Sequence, residues 1–289
     1  MATPGAGGAA RRVTALLLLP ATLWFLVLLA LPLLVILVYS FGERAPAGGY
    51  MPAFTLAQYV NLPARWTAFQ NTLTLAPVGT LLTLLAAYPM AYWLALRCPA
   101  RWRLFCLVLV IVPFWTSLLI RTYAWIFILG GKGLPALLAW LGLGEPRLIN
   151  TPFAVLLGIV YGYLPLMVFP IYVSLEKLDR RLLEASADLY APPWRTFLQV
   201  TLPLSLAGVA TGSMLVFILL MGEFLLPALL GGGKGVFIGN ALVDLFLQSR
   251  NWPFGAAVSM ALVLIMLATV TLYMRLVLGR GTSREVSVI

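Results

Sequence analysis

Histidine is absent from the 289 residues, cysteine occurs twice, and only 28 side chains carry a formal charge, nine of them acidic. Without imidazole there is no histidine metal site, no Ser-His triad and no phosphohistidine relay. Cys98 and Cys106 are too few for a zinc set, and they flank a basic turn where a reducing compartment keeps them as thiols. Charged residues make up 10% of the chain, against roughly 25% in soluble domains. Apolar residues make up 62% and the mean hydropathy is +1.00, more hydrocarbon than a soluble fold of this length can bury. The same numbers exclude disordered, collagenous and disulfide-scaffold classes. The solvent is lipid.

Six charge-poor runs are each long enough to cross about 30 Å of hydrocarbon at 1.5 Å per residue. They are 13–42, 66–96, 104–120 continuing past Arg121 to Gly131, 148–175, 196–222 continuing past Glu223, and 251–274. Backbone groups in lipid must pair within the segment, and no ten-residue alternation suggests a barrel, so these runs read as helices. The sequence therefore predicts an all-α membrane protein with six transmembrane helices. With both termini inside, the inner segments hold twelve basic residues, the outer loops hold six, and Arg121 lies within a span. That bias sets an N-in, C-in topology and accounts for the net charge of +10 without nucleic acid. Arg11-Arg12 before a long apolar run, with no small-residue cleavage site, reads as an uncleaved first helix rather than a signal peptide.

This divides the chain into a small, polar inner tail over 1–12, a first helix over 13–42 and an outer loop over 43–65. A core of helices 2–6 over 66–280 follows, then an inner tail over 281–289. Between helices 4 and 5, residues 176–202 form the most informative segment. Eight of the 28 charges fall between Glu176 and Arg195. Leu182, Leu183 and Leu189, then Trp194, Phe197, Leu198 and Leu202, recur at helical spacing on either side of Tyr190-Ala191-Pro192-Pro193. The pattern predicts helix, break, helix at the membrane surface. Such a pair serves either as a headgroup anchor or as a knob for the groove of a soluble partner.

The run Glu184-Ala185-Ser186-Ala187-Asp188-Leu189-Tyr190-Ala191, with Leu202-Pro203-Leu204 downstream, resembles the EAA loop of ABC-importer permeases. In that family the loop is the coupling helix that docks into the ATPase subunit, which implies coupling roles for Glu184, Ala185, Ser186, Asp188, Tyr190 and Ala191. Tyr190 stands where the family has Gly, so a turn built without φ > 0, with help from Pro192-Pro193, is expected. Residues 113–125 of helix 3 are similar to the matching helix of spermidine/putrescine permeases. Residues 222–232 and 251–255 resemble their helix 5 exit and helix 6 start. Permeases for iron, thiamine and aminophosphonates share parts of this likeness. The resemblance implies a type I ABC-importer permease fold in the bacterial inner membrane. It also implies a second permease subunit, two cytoplasmic ATPase subunits and a periplasmic substrate-binding protein. ATP and magnesium would be held by the ATPases, leaving this chain without a cofactor of its own.

Arg121 and Glu223 are the charges well inside spans, where each is costly unless paired or hydrated. Counting nine residues to Gly130 and eight to Gly231 puts both about 12–14 Å below the outer helix ends. They are expected to pair or to line one cavity, as a structural ion pair or as a pathway carboxylate with its neighbour. Trp115, Tyr123, Trp125, Tyr161, Tyr163 and Phe224 lie at a similar depth, either as cation–π surfaces for an alkylammonium or as belt and packing residues. Trp115, Ser117, Arg121, Tyr123, Trp125 and Glu223 are the candidate pathway residues. Asp244 reads as a solvated outer charge. Gly231–Gly235 mimics a phosphate loop, but no Ser or Thr follows Lys234, Ala228 replaces the first glycine, and the loop faces outward. An integral-membrane enzyme would need a polar cluster at one face, and a secondary transporter an internal repeat. Neither is visible.

Overall fold

The computed structural model describes residues 6–233 and 235–278, and it is helical apart from one two-stranded hairpin. Six helical stretches are long and apolar enough to span a membrane. The chain divides into two units, residues 1–64 with 242–263, and residues 65–241 with 264–289.

In the first unit, helix α1 (Ala6–Ser40) exposes most of its apolar side chains between Leu16 and Val38. It begins at Ala6, so residues 6–12, expected as an irregular tail, extend the helix; the C-terminal tail over 281–289 lies outside the described residues. The outer segment contains strands β1 (Glu43–Arg44) and β2 (Tyr50–Met51), paired antiparallel, and a short helix α2 (Ala57–Val60). Tyr39 stacks on Tyr50 with centroids 4.3 Å apart, and the Arg44 guanidinium donates to the Ser249 carbonyl at 2.7 Å. Asp244, expected as a solvated charge, instead opens a π turn over Asp244–Gln248 and is half-buried.

In the second unit, α3 (Trp66–Tyr92) enters a π turn at Trp93–Arg97, and α4 (Ala100–Trp115) follows the basic inner turn. Next come α5 (Leu118–Leu129), α6 (Leu134–Trp140) and α7 (Pro152–Glu176). The inner loop carries α8 (Arg180–Asp188) and α9 (Pro193–Thr196); α9 passes through a π turn into α10 (Leu202–Met221). Helix α11 (Leu225–Leu230) follows; α12 (Ile238–Val243) and the last span, α13 (Trp252–Leu278), are divided between the units, with residues 242–263 in the first.

The core of this unit is α3 and α10 packed on α7. Gly208 and Gly212, one turn apart on α10, let its backbone reach α7. A Cβ on Gly208 would clash with the Pro170 carbonyl and lie 3.0 Å from the Ile171 Cα, and one on Gly212 would lie 2.9 Å from the Met167 Sδ. Small residues at this spacing are how membrane helices gain contact where lipid supplies no hydrophobic drive. Tyr88 of α3 and Ser205 of α10 add a buried hydroxyl pair at 2.9 Å.

Two sequence expectations are corrected. The third span is not one helix: α4 stops at Trp115, and Thr116 and Ser117 are extended, with ψ of 150° and 134°. Pro113 supplies no N–H to the preceding turn, and the Thr116 hydroxyl takes the Pro113 carbonyl at 2.7 Å, drawing the chain out of the helix. Nor does the inner loop end in a second surface helix. From Pro193 the chain is continuous with the fifth span to Met221, because Pro192-Pro193 start the helix at the one place where missing N–H groups cost nothing.

Candidate substrate pathway and coupling surface

Glu223 sits where the fifth span breaks. Helix α10 ends at Met221, Gly222 and Phe224 leave the helical region, and α11 starts again at Leu225. A break of this kind presents the carbonyl end of one half-helix and the N–H end of the next. Glu223 Oε1 accepts the Leu225 and Leu226 amides at 2.8 and 3.2 Å, satisfying two of the first donors of α11. Its Oε2 accepts the Tyr163 hydroxyl of α7. The carboxylate is 6% exposed and held by three donors.

Arg121 does not complete this site. Of the two alternatives, an ion pair or a shared cavity, no Arg121–Glu223 ion pair forms among the described residues, where the carboxylate is held by Tyr163 and the α11 amides. The guanidinium lies over the Phe114 ring, 6.0 Å from its centroid, and its Nε and Nη1 are enclosed without an acceptor among the described residues.

The other candidate pathway residues separate into two sets. Trp115, Ser117 and Tyr123 are exposed on the broken third span, with Trp115 at 81%. Trp125 is half-buried and packs edge-on against Tyr161, centroids 5.5 Å apart. Asn240 was not singled out from the sequence. Its amide nitrogen donates to the Phe224 carbonyl at 3.0 Å, while its Oδ1 is enclosed and accepts nothing from the described residues. A lone Asn in a long outer segment carries no signal; only the fold brings it to the Glu223 break. At the outer ends of α3, α7 and α11 a cavity of about 600 Å³ is lined by Asn71, Thr74, Asn150, Pro227 and Phe237.

On the inner face, α8 is capped at both ends. The Asp179 carboxylate accepts the Arg181 amide at 3.0 Å. At the C-terminus the Tyr190 amide donates to the Ala187 carbonyl at 2.9 Å and the Ala191 amide to the Ser186 carbonyl at 3.1 Å, the paired bonds of a Schellman turn. That turn needs φ > 0 at Tyr190, and Tyr190 has φ 55°. The expectation of a turn built without φ > 0 is therefore wrong: tyrosine adopts the glycine conformation, because the two end-capping bonds require it. Ser186 is tied to Thr196 at 2.8 Å, closing α8 against α9. Glu184, Ala185 and Asp188 are exposed, Ser186 and Ala191 are half-buried, and Leu189, Tyr190 and Trp194 project at 82%, 95% and 60% exposure.

The site thus has a buried carboxylate at a broken span and an exposed, charged helix in the loop between the fourth and fifth spans. A bacterial ABC transporter that imports the acidic polysaccharide alginate superposes with a TM-score of 0.74 at 17% identity, covering 96% of this chain and 97% of that one. A second structure, of the alginate transporter in complex with a pentasaccharide-bound periplasmic protein, gives the same score over 92% and 95%. The family of inner membrane components of binding-protein-dependent transport systems matches residues 79–284, and this chain belongs to it. The spermidine/putrescine transport system permease protein PotB of Escherichia coli is 41% identical over 257 residues, 87% of this chain and 93% of that protein. PotB of Haemophilus influenzae is 40% identical over 257 residues, with 87% and 90% covered, and the permease YdcU of E. coli is 33% identical over 269, with 86% and 85%. The chain is a multi-pass inner-membrane permease.

Proposed function

We propose that this chain is the transmembrane permease subunit of an ATP-driven importer for spermidine, putrescine or a closely similar polyamine. The observation that carries the substrate class is the 40–41% identity with spermidine/putrescine permeases over 87% of the chain. The chemistry of the fifth-span break supports it. A polyamine carries several ammonium groups and needs acceptors; Glu223 supplies a carboxylate, and Asn240 an enclosed, unclaimed carbonyl oxygen. Exposed aromatic rings on the third span, Trp115 and Tyr123, offer cation–π surfaces worth roughly 0.5–2 kcal/mol each. Ser117, Arg121 and Trp125 complete the proposed lining, with Arg121 set against Phe114 so that its charge does not neutralise Glu223.

In this reading the α8 knob, with Glu184, Ala185, Ser186, Asp188, Tyr190 and Ala191, docks into a cytoplasmic ATPase that holds the ATP and magnesium. A second permease subunit, different from this one, completes the pathway, and a periplasmic binding protein delivers cargo. Closure of the two ATPases pushes α8, and the spans rock to expose the pathway to each side in turn. The test is uptake of labelled putrescine and spermidine by cells with and without this chain and with no redundant uptake system. Loss of saturable uptake on deletion, restored by the gene, is the expected result. Unchanged uptake of both polyamines would refute the substrate assignment.

A further inference from the structure

We infer that Arg103, Glu176 and Tyr172 form a latch through which movement of α8 is passed to the inner half of the third span. Arg103 lies in the first turn of α4, and its Nη1 is 3.6 Å from Oε1 of Glu176, the last residue of α7. The same oxygen accepts the Tyr172 hydroxyl at 2.7 Å, and Tyr172 is 5% exposed, so the carboxylate is aimed from a buried anchor. A half-exposed ion pair alone is worth little, but a shared carboxylate with a second, buried donor is a fixed geometry.

The position of the latch makes it mechanical. Helix α7 ends at Glu176, and α8 begins at Arg180. The link between them is tight: the Lys177 and Leu178 amides donate back into the last turn of α7 at 3.4 and 3.2 Å, and Leu178 is buried. A displacement of α8 therefore arrives at Glu176. On the other side, α4 is loosely held. Of its 16 residues only Val110 is buried, and the extended Thr116-Ser117 pair separates it from α5. Such a helix turns as a lever about its outer end, and Arg103 is where its inner end is grasped. The Arg103 Nε is enclosed and has no acceptor among the described residues, and at 3.6 Å the guanidinium meets Glu176 as an ion pair, through its charge. Arg103 and Glu176 are thus positioning residues, and they touch no cargo.

The latch rests on α8 being the ATPase handle, and the experiment separates the two ideas. The complete transporter is reconstituted in proteoliposomes with its binding protein, and putrescine taken up is measured per ATP hydrolysed. Arg103→Gln and Glu176→Gln are each expected to lower that ratio at least about fivefold while the ATPase still co-purifies and hydrolyses at the basal rate. Arg103→Lys should stay near wild type, and the exchange of Arg103→Glu with Glu176→Arg should recover at least half of the loss. Should a single variant fail to assemble, Tyr172→Phe, which keeps both charges, reads the same latch and must also lower the ratio. Wild-type ratios in the assembled variants, or an exchange no better than either single change, would overturn the latch. A wild-type chain that does not hold the ATPase through α8 would instead overturn the handle.

Discussion

Tyr190 carries a cost that glycine would not. An L-residue in the left-handed region costs roughly 1–2 kcal/mol, and the ring, 95% exposed, recovers none of it within the chain. Tyr190→Gly should therefore tighten the end of α8 by about 1 kcal/mol, slowing hydrogen exchange of the residue 190 and 191 amides about fivefold. Tyr190→Ala keeps the strain and loses the ring, so it should leave that exchange unchanged. If both variants weaken ATPase binding equally, the ring is what the partner holds. Glu223 poses the reverse problem, a charge stabilised by three donors. Tyr163→Phe removes one and leaves the carboxylate short of a partner, at about 1–3 kcal/mol. Thermal unfolding of the purified transporter should fall accordingly. Glu223→Gln can keep an acceptor for the α11 amides while discharging the site, so uptake should drop at least about tenfold with little loss of stability. Equal losses of stability and uptake in both variants would make the group purely structural.

At the scale of elements, α10 is set against α7 by the Gly208–Gly212 pair. Gly208→Leu forces the helices apart and should cost about 1–3 kcal/mol, read as a lower midpoint in detergent denaturation. Val209→Leu, between the two glycines, should have far less effect, because Val209 lines a groove rather than the α7 contact. The number of spans was legible because lipid imposes length and polarity on each one, and α8 was legible because an amphipathic charged run has no place inside a bilayer. The breaks were not. Thr116-Ser117 after Pro113 and Gly222 before Glu223 occur in stretches whose hydropathy is as high as that of continuous helix, and hydropathy does not see a hydrogen bond given away. Residue counting led to the expectation of one depth for Arg121 and Glu223, but it could not say which partner the carboxylate takes. Tyr163 and the α11 amides reach it only after α7 and α11 are in place, and the same holds for Asn240.

For the whole molecule, the proposed function makes cargo movement depend on force entering through one small surface. Leu189, Tyr190 and Trp194 project exposed apolar area beside Glu184 and Asp188, an arrangement suited to cover by a partner protein or by lipid headgroups. The Glu184 side chain makes no hydrogen bond or ion pair within the described residues, and it is exposed at the middle of α8. Its charge is therefore free to meet a basic group on a partner. Glu184→Lys should leave the chain folded and inserted, since no internal contact is lost, yet abolish uptake and the stimulation of ATP hydrolysis by loaded binding protein. A cysteine at Leu189 should cross-link to the ATPase in the assembled transporter, and the same cysteine combined with Glu184→Lys should cross-link far less. Normal uptake by Glu184→Lys, or no cross-link from the Leu189 cysteine, would mean that the motor grips this permease somewhere other than α8.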